Sequence, residues 1–351
     1  MDRIVLSWRF GGEEEQGAMA DETRFPPITV VTSVFNKAEI VERCISSLLA
    51  LEYPDFTILV IEQFSTDGSW EILRKFEGRI RILRVPGNHP IALNRLLDEA
   101  ATPLVAFTDA DCTVEPDWLR ELADGFVEEE GIVATAGLVR TGRGIPLLAT
   151  LIGIENENRY SRFPRYLSRS PTQNLCVRTE AARRVRFDER LRVALETDFG
   201  YRLTKLGKMR YTPRAVVYHY NRTKWSGFFR QQVGYARGAF WVYRMHAGKL
   251  AGDHISTFSM ISQIPLFCLG AVCLVLAAAD LRFLWVAAGS WGMLLALYVR
   301  DALRLPVARR HRPMMLLIFF VRTVGWTAGA FRALYSFATL PFRHGRGGPV
   351  W

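Results

Sequence analysis

Leu104-Val105-Ala106-Phe107-Thr108-Asp109-Ala110-Asp111 decides how this 351-residue chain folds. A short apolar run of this kind reads as a buried strand, and two acids separated by one residue follow it directly. Extended backbone sends alternate side chains to one face, so Asp109 and Asp111 point the same way at the strand's C-terminal end. Open α/β sheets bind ligands at that edge. Taken alone, an Asp-x-Asp pair suits a solvated turn equally well, so its surroundings must decide.

Outward from this stretch the same rhythm repeats. Ile28-Thr29-Val30-Val31-Thr32 and residues 56–61 and 80–85 read as strands. Between them lie helical segments: Ile40, Val41, Cys44, Ile45, Leu48 and Leu49 share one face, a second helix opens near Ser69 after the turn Ser65-Thr66-Asp67-Gly68, and a third covers 91–100. Strands alternating with helices imply an α/β domain with a mostly parallel sheet. Farther on, 132–138 and 214–220 read as strands and 179–185 as a helix. Residues 143–169 read as polar connections, and Glu196-Thr197-Asp198 opens a helix that continues to Leu206.

Hydrophobic residues make up 49% of the chain and concentrate after His254, where the pattern changes. Residues 255–279 carry no charge and exceed the roughly 20 apolar residues that a spanning helix needs. Residues 283–299 form a second uncharged run. The link between them holds Asp280 and Arg282, whereas Arg300, Arg304, Arg309, Arg310 and Arg312 follow the second run. The positive-inside bias then puts both ends of this pair, and the domain before it, in the cytosol. A third apolar region, 314–340, contains Arg322 and Arg332, which are costly against lipid; its sequence fits a span with protein-facing arginines or an interfacial piece. Trp225, Phe228, Arg230, Tyr235, Arg237, Trp241 and Arg244 make 222–254 a basic aromatic segment, suited to a membrane interface or to closing the domain.

The expected organisation is therefore a disordered extension (1–25), a catalytic domain (26–221), the interfacial segment (222–254), a transmembrane region (255–341) and a tail (342–351). The net charge of +10 asks for a polyanionic neighbour. Its basic residues gather around the apolar runs, which favours a membrane surface or phosphorylated substrates and argues against nucleic acid. Five scattered cysteines without a CxxC pair predict neither disulfides nor a zinc site. The first residues contain Glu13-Glu14-Glu15 and no apolar core, so no secretory signal is expected.

Three segments, Val30-Val31-Thr32-Ser33-Val34-Phe35-Asn36, Val60-Ile61-Glu62-Gln63-Phe64-Ser65-Thr66-Asp67-Gly68-Ser69 and Ala106 to Asp111, arrive in an order and spacing that resembles family 2 glycosyltransferases of the GT-A fold. The similarity covers about residues 27–220. It implies that Thr32, Val34, Asn36 and Glu62 hold the base and ribose of a UDP- or GDP-sugar, while Asp109 and Asp111 bind Mg²⁺ or Mn²⁺ on its diphosphate. His219 reads as a packed residue, although the family sometimes uses a histidine near this point as a third ligand. Glu196 takes the place of the family's catalytic base, with Asp198 as the second choice, and a carboxylate of raised pKa suits proton removal from an acceptor hydroxyl. Gln173 and Asn174 would place hydroxyls, and Arg230 and Arg237 would offset charge on the departing diphosphate or bind lipid phosphate.

The chain departs from the family at Ser33, where proline is common, at Glu62-Gln63, where two aspartates are common, and at Leu195, where an acid precedes the base. By this resemblance the chain is an inverting, membrane-attached transferase of the inner membrane with a lipid-linked or glycan acceptor. Its rivals are a nucleotidyltransferase and a non-catalytic protein that keeps the fold.

Overall fold

The computed structural model describes residues 25–249 and 252–339. The expectations for residues 1–24 and for the tail lie outside the described residues. The first half alternates as its sequence predicts: β1 (Ile28–Val34), α1 (Val41–Leu49), β2 (Phe56–Glu62), α2 (Ser69–Arg74), β3 (Arg81–Arg84), α3 (His89–Glu99) and β4 (Leu104–Phe107). In α1, Val41, Cys44, Ile45 and Leu48 are buried at the spacing that makes one stripe. Helix α3 starts two residues before its apolar period, because the Asn88 side chain accepts from Ile91 N at 3.2 Å and Pro90 suits the first turn.

The second half comprises β5 (Cys112–Val114), α4 (Trp118–Val127), β6 (Ile132–Thr141), α5 (Leu147–Tyr160), β7 (Tyr166–Leu167), β8 (Leu175–Arg178), α6 (Thr179–Val185), α7 (Leu195–Leu203) and β9 (Lys208–His219). Among the described residues nine strands form one sheet, ordered β3-β2-β1-β4-β8-β6-β9-β5, with β7 on β9. Strands β1 to β4 pair in parallel. Strand β8 runs antiparallel to both β4 and β6, while β6 and β9 are parallel. One face buries Leu96, Phe107, Phe199 and Leu203, and the other buries Ile45, Leu48, Val60 and Trp118. The expectation of polar connections over 143–169 is overturned by α5, a 14-residue helix. Its first half is apolar on every side and its second half is Glu155-Asn156-Glu157-Asn158-Arg159, so no helical period stands out in the sequence.

After the sheet come α8 (Trp225–Met245), α9 (Phe258–Ile261), α10 (Gln263–Leu276), α11 (Arg282–Arg304) and α12 (Arg312–Thr339). Three described helical stretches, Phe258–Leu276, Arg282–Arg304 and Arg309–Thr339, are long and apolar enough to cross a bilayer. Helices α10 and α11 form an antiparallel hairpin in which Ser290 Oγ donates to Leu266 O at 2.7 Å. Val275 and Trp285 near its turn are 75% and 81% exposed, the pattern of a surface built for lipid.

The third stretch is different, because 44% of its most apolar window is buried, against 17% and 22% in the others. Helix α12 lies along α8 so closely that a Cβ at Gly329 would sit 2.3 Å from Val233 O, and one at Gly325 2.9 Å from the Gln232 side chain. Small residues four apart permit this approach. Arg322 is buried against protein and donates to Glu155 Oε1 of α5 at 3.0 Å, its guanidinium lying over the Phe319 and Trp326 rings. Arg332 opens into a cavity of about 400 Å³ shared with Arg237, Phe331, Tyr335 and Ser336.

A second buried pair fastens the linker that precedes α9. Arg169 Nε donates to Asp253 Oδ2 at 2.5 Å and Arg169 Nη2 to Asp253 Oδ1 at 3.0 Å, while Tyr201 Oη donates to Asp253 Oδ2 at 2.6 Å. Burial alone would raise the Asp253 carboxyl, but the Arg169 charge outweighs it and holds the group well below the usual range.

Two predictions follow from these pairs. Glu155→Ala strands the Arg322 charge in protein, at a cost of about 3–5 kcal/mol, whereas Glu155→Ala with Arg322→Met recovers most of it. Unfolding midpoints in detergent measure this, and a double variant as unstable as the single one would contradict the account. For Asp253, whose folded pKa lies below its unfolded value of about 3.9, the stabilisation is complete above about pH 4 and is lost as pH falls through the folded value. Asp253→Asn should flatten that acid limb in a stability-versus-pH series.

Candidate active site

Strands β1, β2 and β4 finish at one edge, with Val34 paired to Glu62 and Val31 to Phe107. Beyond β4 the chain turns through Asp109 and Asp111, both half-buried, into β5. Strand β5 runs antiparallel to β9 in the register Cys112 to His219, and Tyr220 N donates to Asp111 O at 2.9 Å. This register brings His219 Nε2 to 3.5 Å from Asp111 Oδ1, while Lys37 Nζ pairs with Asp111 Oδ2 from the opposite side. Asp109 receives the Thr172 hydroxyl at 3.4 Å and a hydrogen bond from the Gln173 side chain.

Burial and, after it, the neighbouring Asp111 charge push the Asp109 carboxyl above the ordinary range. Burial acts the same way on Asp111, but the His219 and Lys37 charges override it and hold that group far below the range. A carboxylate pair of this kind, with one member disfavoured by the other's charge, fits a hard divalent cation, and the His219 ring offers a third donor. Cys112 lies beside them, its thiol pushed well above the usual value by burial and by the charges of the two aspartates.

Glu196 is the second residue of α7, which starts at Leu195 directly after Ala194, a non-glycine residue at φ +61°. Burial foremost raises the Glu196 carboxyl; Asp109 adds to the rise, and Arg169 and His89 oppose it. His89 opens α3 from the same rim, with Nδ1 2.9 Å from Ser33 Oγ. Tyr235 of α8 feels the charges of Glu196 and Asp109, so α8 forms the outer wall. A Cβ at Gly238 would lie 2.7 Å from Val193 O, which fixes that wall directly against the segment carrying Glu196.

The sequence profile of Glycosyl transferase family 2 matches residues 29–192, which contain this sheet edge and both aspartates. Residues 29–192 are a family 2 glycosyltransferase domain. The chain is 24% identical over 180 residues to the teichoic acid poly(glycerol phosphate) polymerase of Staphylococcus epidermidis, covering 49% of this chain and 25% of that one. It is 28% identical over 102 residues to glycosyltransferase AglE of Haloferax volcanii, covering 27% and 33%. The chain thus spans no more than a third of the length of either relative. In fold, it superposes on the mannosyltransferase PcManGT of Pyrobaculum calidifontis, solved in complex with GDP-Man and Mn²⁺, with a TM-score of 0.59, 16% identity and coverage of 89% and 88%.

Several residues that sequence put in the glycosyltransferase site are engaged elsewhere. Asp198 is 3% exposed, and its oxygens accept from Arg202 Nε at 2.8 Å and pair with His246 Nε2 at 2.9 Å, so it ties α7 to the end of α8 and has no oxygen free to act as a base. Asn174 is fully buried: Nδ2 donates to Leu138 O and Ala215 O at 3.0 and 2.9 Å, and Oδ1 accepts from Trp118 Nε1 at 2.9 Å. It fills the bulge between Gly137 and Leu138 and holds no donor hydroxyl.

Glu62 is equally buried, and Ser65 N (2.5 Å), Phe64 N (3.1 Å) and Arg84 Nε (2.8 Å) take up its oxygens. It shapes the turn and has nothing to offer a base. Val34 keeps its side chain in the core and gives its carbonyl to Gln63 N, and Thr32 is buried with an unpartnered hydroxyl. Asn36, at φ +52°, is exposed and accepts from Thr66 N at 2.9 Å. Arg230 is exposed on α8 and Arg237 lines the α12 cavity; among the described residues no hydrogen bond or ion pair joins either to Asp109, Asp111 or Glu196.

Lys37 and His89 escaped sequence reasoning. Lys37 is one step past the first loop motif, and His89 sits in an Asn88-His89-Pro90 helix start that the apolar period hides. The structural assignment of Asn174 is testable: Asn174→Ala leaves an indole N–H and two carbonyls unpaired, each costing about 1–3 kcal/mol. The unfolding midpoint should fall sharply, and an unchanged midpoint would return Asn174 to the ligand site.

Proposed function

We propose that this protein transfers a sugar, with inversion, from a nucleoside-diphosphate sugar to a membrane-associated acceptor. The observation that carries the proposal is that Glu196, whose carboxyl is raised by burial, lies close enough to the Asp109–Asp111 pair to feel the Asp109 charge. PcManGT's complex with GDP-Man and Mn²⁺ supports this use of the fold. A divalent cation held by Asp109 and Asp111, with His219 as third donor, would neutralise charge on the diphosphate and favour its departure.

Glu196 performs the proton step. As the acceptor oxygen attacks the anomeric carbon from the face opposite the diphosphate, its proton passes to the Glu196 carboxylate and the bonding pair leaves with the diphosphate. A single displacement inverts the anomeric centre. Gln173 orients Asp109, and Asn36 with the turn shaped by Glu62 presents exposed backbone to the nucleotide. Ala194, in its left-handed conformation, turns the chain into the start of α7, which carries Glu196.

The proposed setting is the cytosolic face of the inner membrane. Helices α10 and α11 form the spanning hairpin, α12 lies between that hairpin and the catalytic domain, and the arginines at 300, 304, 309, 310 and 312 stay on the domain's side. A polyprenyl phosphate or a polyprenyl-linked glycan suits an acceptor site walled by α8. The relative named for teichoic acid polymerisation supports a role in envelope polysaccharide assembly.

Nucleoside-diphosphate release from a panel of UDP- and GDP-sugars, with Mn²⁺ or Mg²⁺ and a polyprenyl-phosphate acceptor in detergent, tests the reading. One donor should turn over, and Asp111→Asn and Glu196→Gln should each lower kcat by about 10²–10⁴-fold. Full activity in Glu196→Gln would remove it as the base, and silence with every donor would remove the transferase reading.

A further inference from the structure

We propose that His89 is a sugar-recognising residue: its free ring nitrogen contacts a hydroxyl of the transferred sugar, and Ser33 holds the ring in place. The inference rests on the transfer reading above and adds a determinant of which sugar is accepted.

The position of His89 is fixed from three directions. It is the first residue of α3; Asn88 caps that helix through Ile91 N and donates to Glu189 O at 3.3 Å, and Pro90 follows immediately. On the other side, Ser33 Oγ lies 2.9 Å from Nδ1. Ser33 belongs to β1 and is half-buried, so the bond joins the ring to the central strand. Proline at this position could not make it.

With Nδ1 engaged, Nε2 is left over. Among the described residues it has no hydrogen-bond partner, and it is not one of the buried polar atoms sealed from solvent. The charged groups acting on the ring are Glu196, Asp111 and Lys37. Those groups bracket the reaction: Glu196 takes the acceptor's proton, and Asp111 stands on the diphosphate side. The group that occupies the space between a base and a diphosphate in a single displacement is the sugar itself.

Burial lowers the His89 pKa more than the two acids raise it, so the ring is neutral and works as a hydrogen-bonding group, not as a counter-charge. When the Ser33 hydroxyl donates to Nδ1, Nε2 carries the hydrogen and donates; in the reverse arrangement it accepts. A sugar hydroxyl satisfies either tautomer, whereas a phosphate oxygen satisfies only one.

Equilibrium binding separates this role from a nucleotide or purely structural one. Titration calorimetry of the detergent-purified full chain with Mn²⁺ would compare GDP with GDP-mannose and UDP with UDP-GlcNAc, for wild type, His89→Ala, His89→Asn and Ser33→Ala. For the pair that wild type binds, His89→Ala should weaken the sugar nucleotide about tenfold and leave the nucleoside diphosphate within about twofold, since one lost hydrogen bond of about 1.4 kcal/mol is a tenfold effect. Ser33→Ala should shift binding in the same direction by a smaller factor, and His89→Asn, which keeps a polar group on a side chain that fits the helix start, should recover part of the loss.

Equal weakening of both ligands, or no change in either, overturns the proposal. So does a loss in His89→Ala that is matched by an equal loss in His89→Asn and a collapsed unfolding midpoint in both. Wild-type protein that binds neither sugar nucleotide nor nucleoside diphosphate overturns the transfer reading and this proposal with it, whereas wild-type binding with an unaffected His89→Ala overturns this proposal alone.

Discussion

Two carboxylates of like charge, confined at the end of one strand, set the terms for the rest of the catalytic half. Asp109 and Asp111 cannot both be ionised there without compensation, and the surrounding elements are placed to supply it. Strand β9 delivers His219 through its register with β5, the loop after β1 delivers Lys37, and the segment before β8 delivers Gln173 and Thr172. Because Lys37 already occupies one oxygen of Asp111, any cation that enters must displace or share that contact. Lys37 thus offsets charge on Asp111, the member of the pair whose carboxyl is held low.

The parallel half was legible because its information is local. β-Branched runs, helical stripes and an Asx-type turn each declare themselves within a few residues, and the Asp-x-Asp pair follows its strand without a gap. What failed to show in the sequence depends on partners far away along the chain. Asn174, Glu62 and Asp198 are all residue types that bind ligands, and nothing in their neighbourhood says that Trp118, Arg84 and His246 have claimed their oxygens. Arg322 shows the same limit from the other side: its sequence context marks it as expensive in an apolar helix, but its partner Glu155 lies in a helix that the pattern does not reveal. His89 was hidden because helix starts are read from apolar period, and the cap precedes the period by two residues.

Strain gathers where elements begin and end. Of the described non-glycine residues at positive φ, Asn36 and Phe64 follow β1 and β2 and Ala194 precedes α7, and each such conformation costs about 1–3 kcal/mol. Each is held by a specific contact: Asn36 and the Ser65-Thr66 segment exchange hydrogen bonds, Glu62 clasps the amide of Phe64, and Val193 beside Ala194 is pressed by Gly238. These loops are therefore held in shape by the chain's own contacts.

That last contact belongs to a longer series. Side chains usually form a compliant layer between neighbouring helices, and movement of one helix is partly absorbed in rotamer changes before it reaches the next. On α8 this layer is missing on both sides, since Gly329 brings α12 onto the carbonyl of Val233 and Gly238 sets α8 on the carbonyl of Val193. Three stretches of backbone abut with nothing soft between them. α12, the most enclosed of the three apolar stretches, is thereby set through backbone on α8, and α8 in turn on the residue that precedes Ala194.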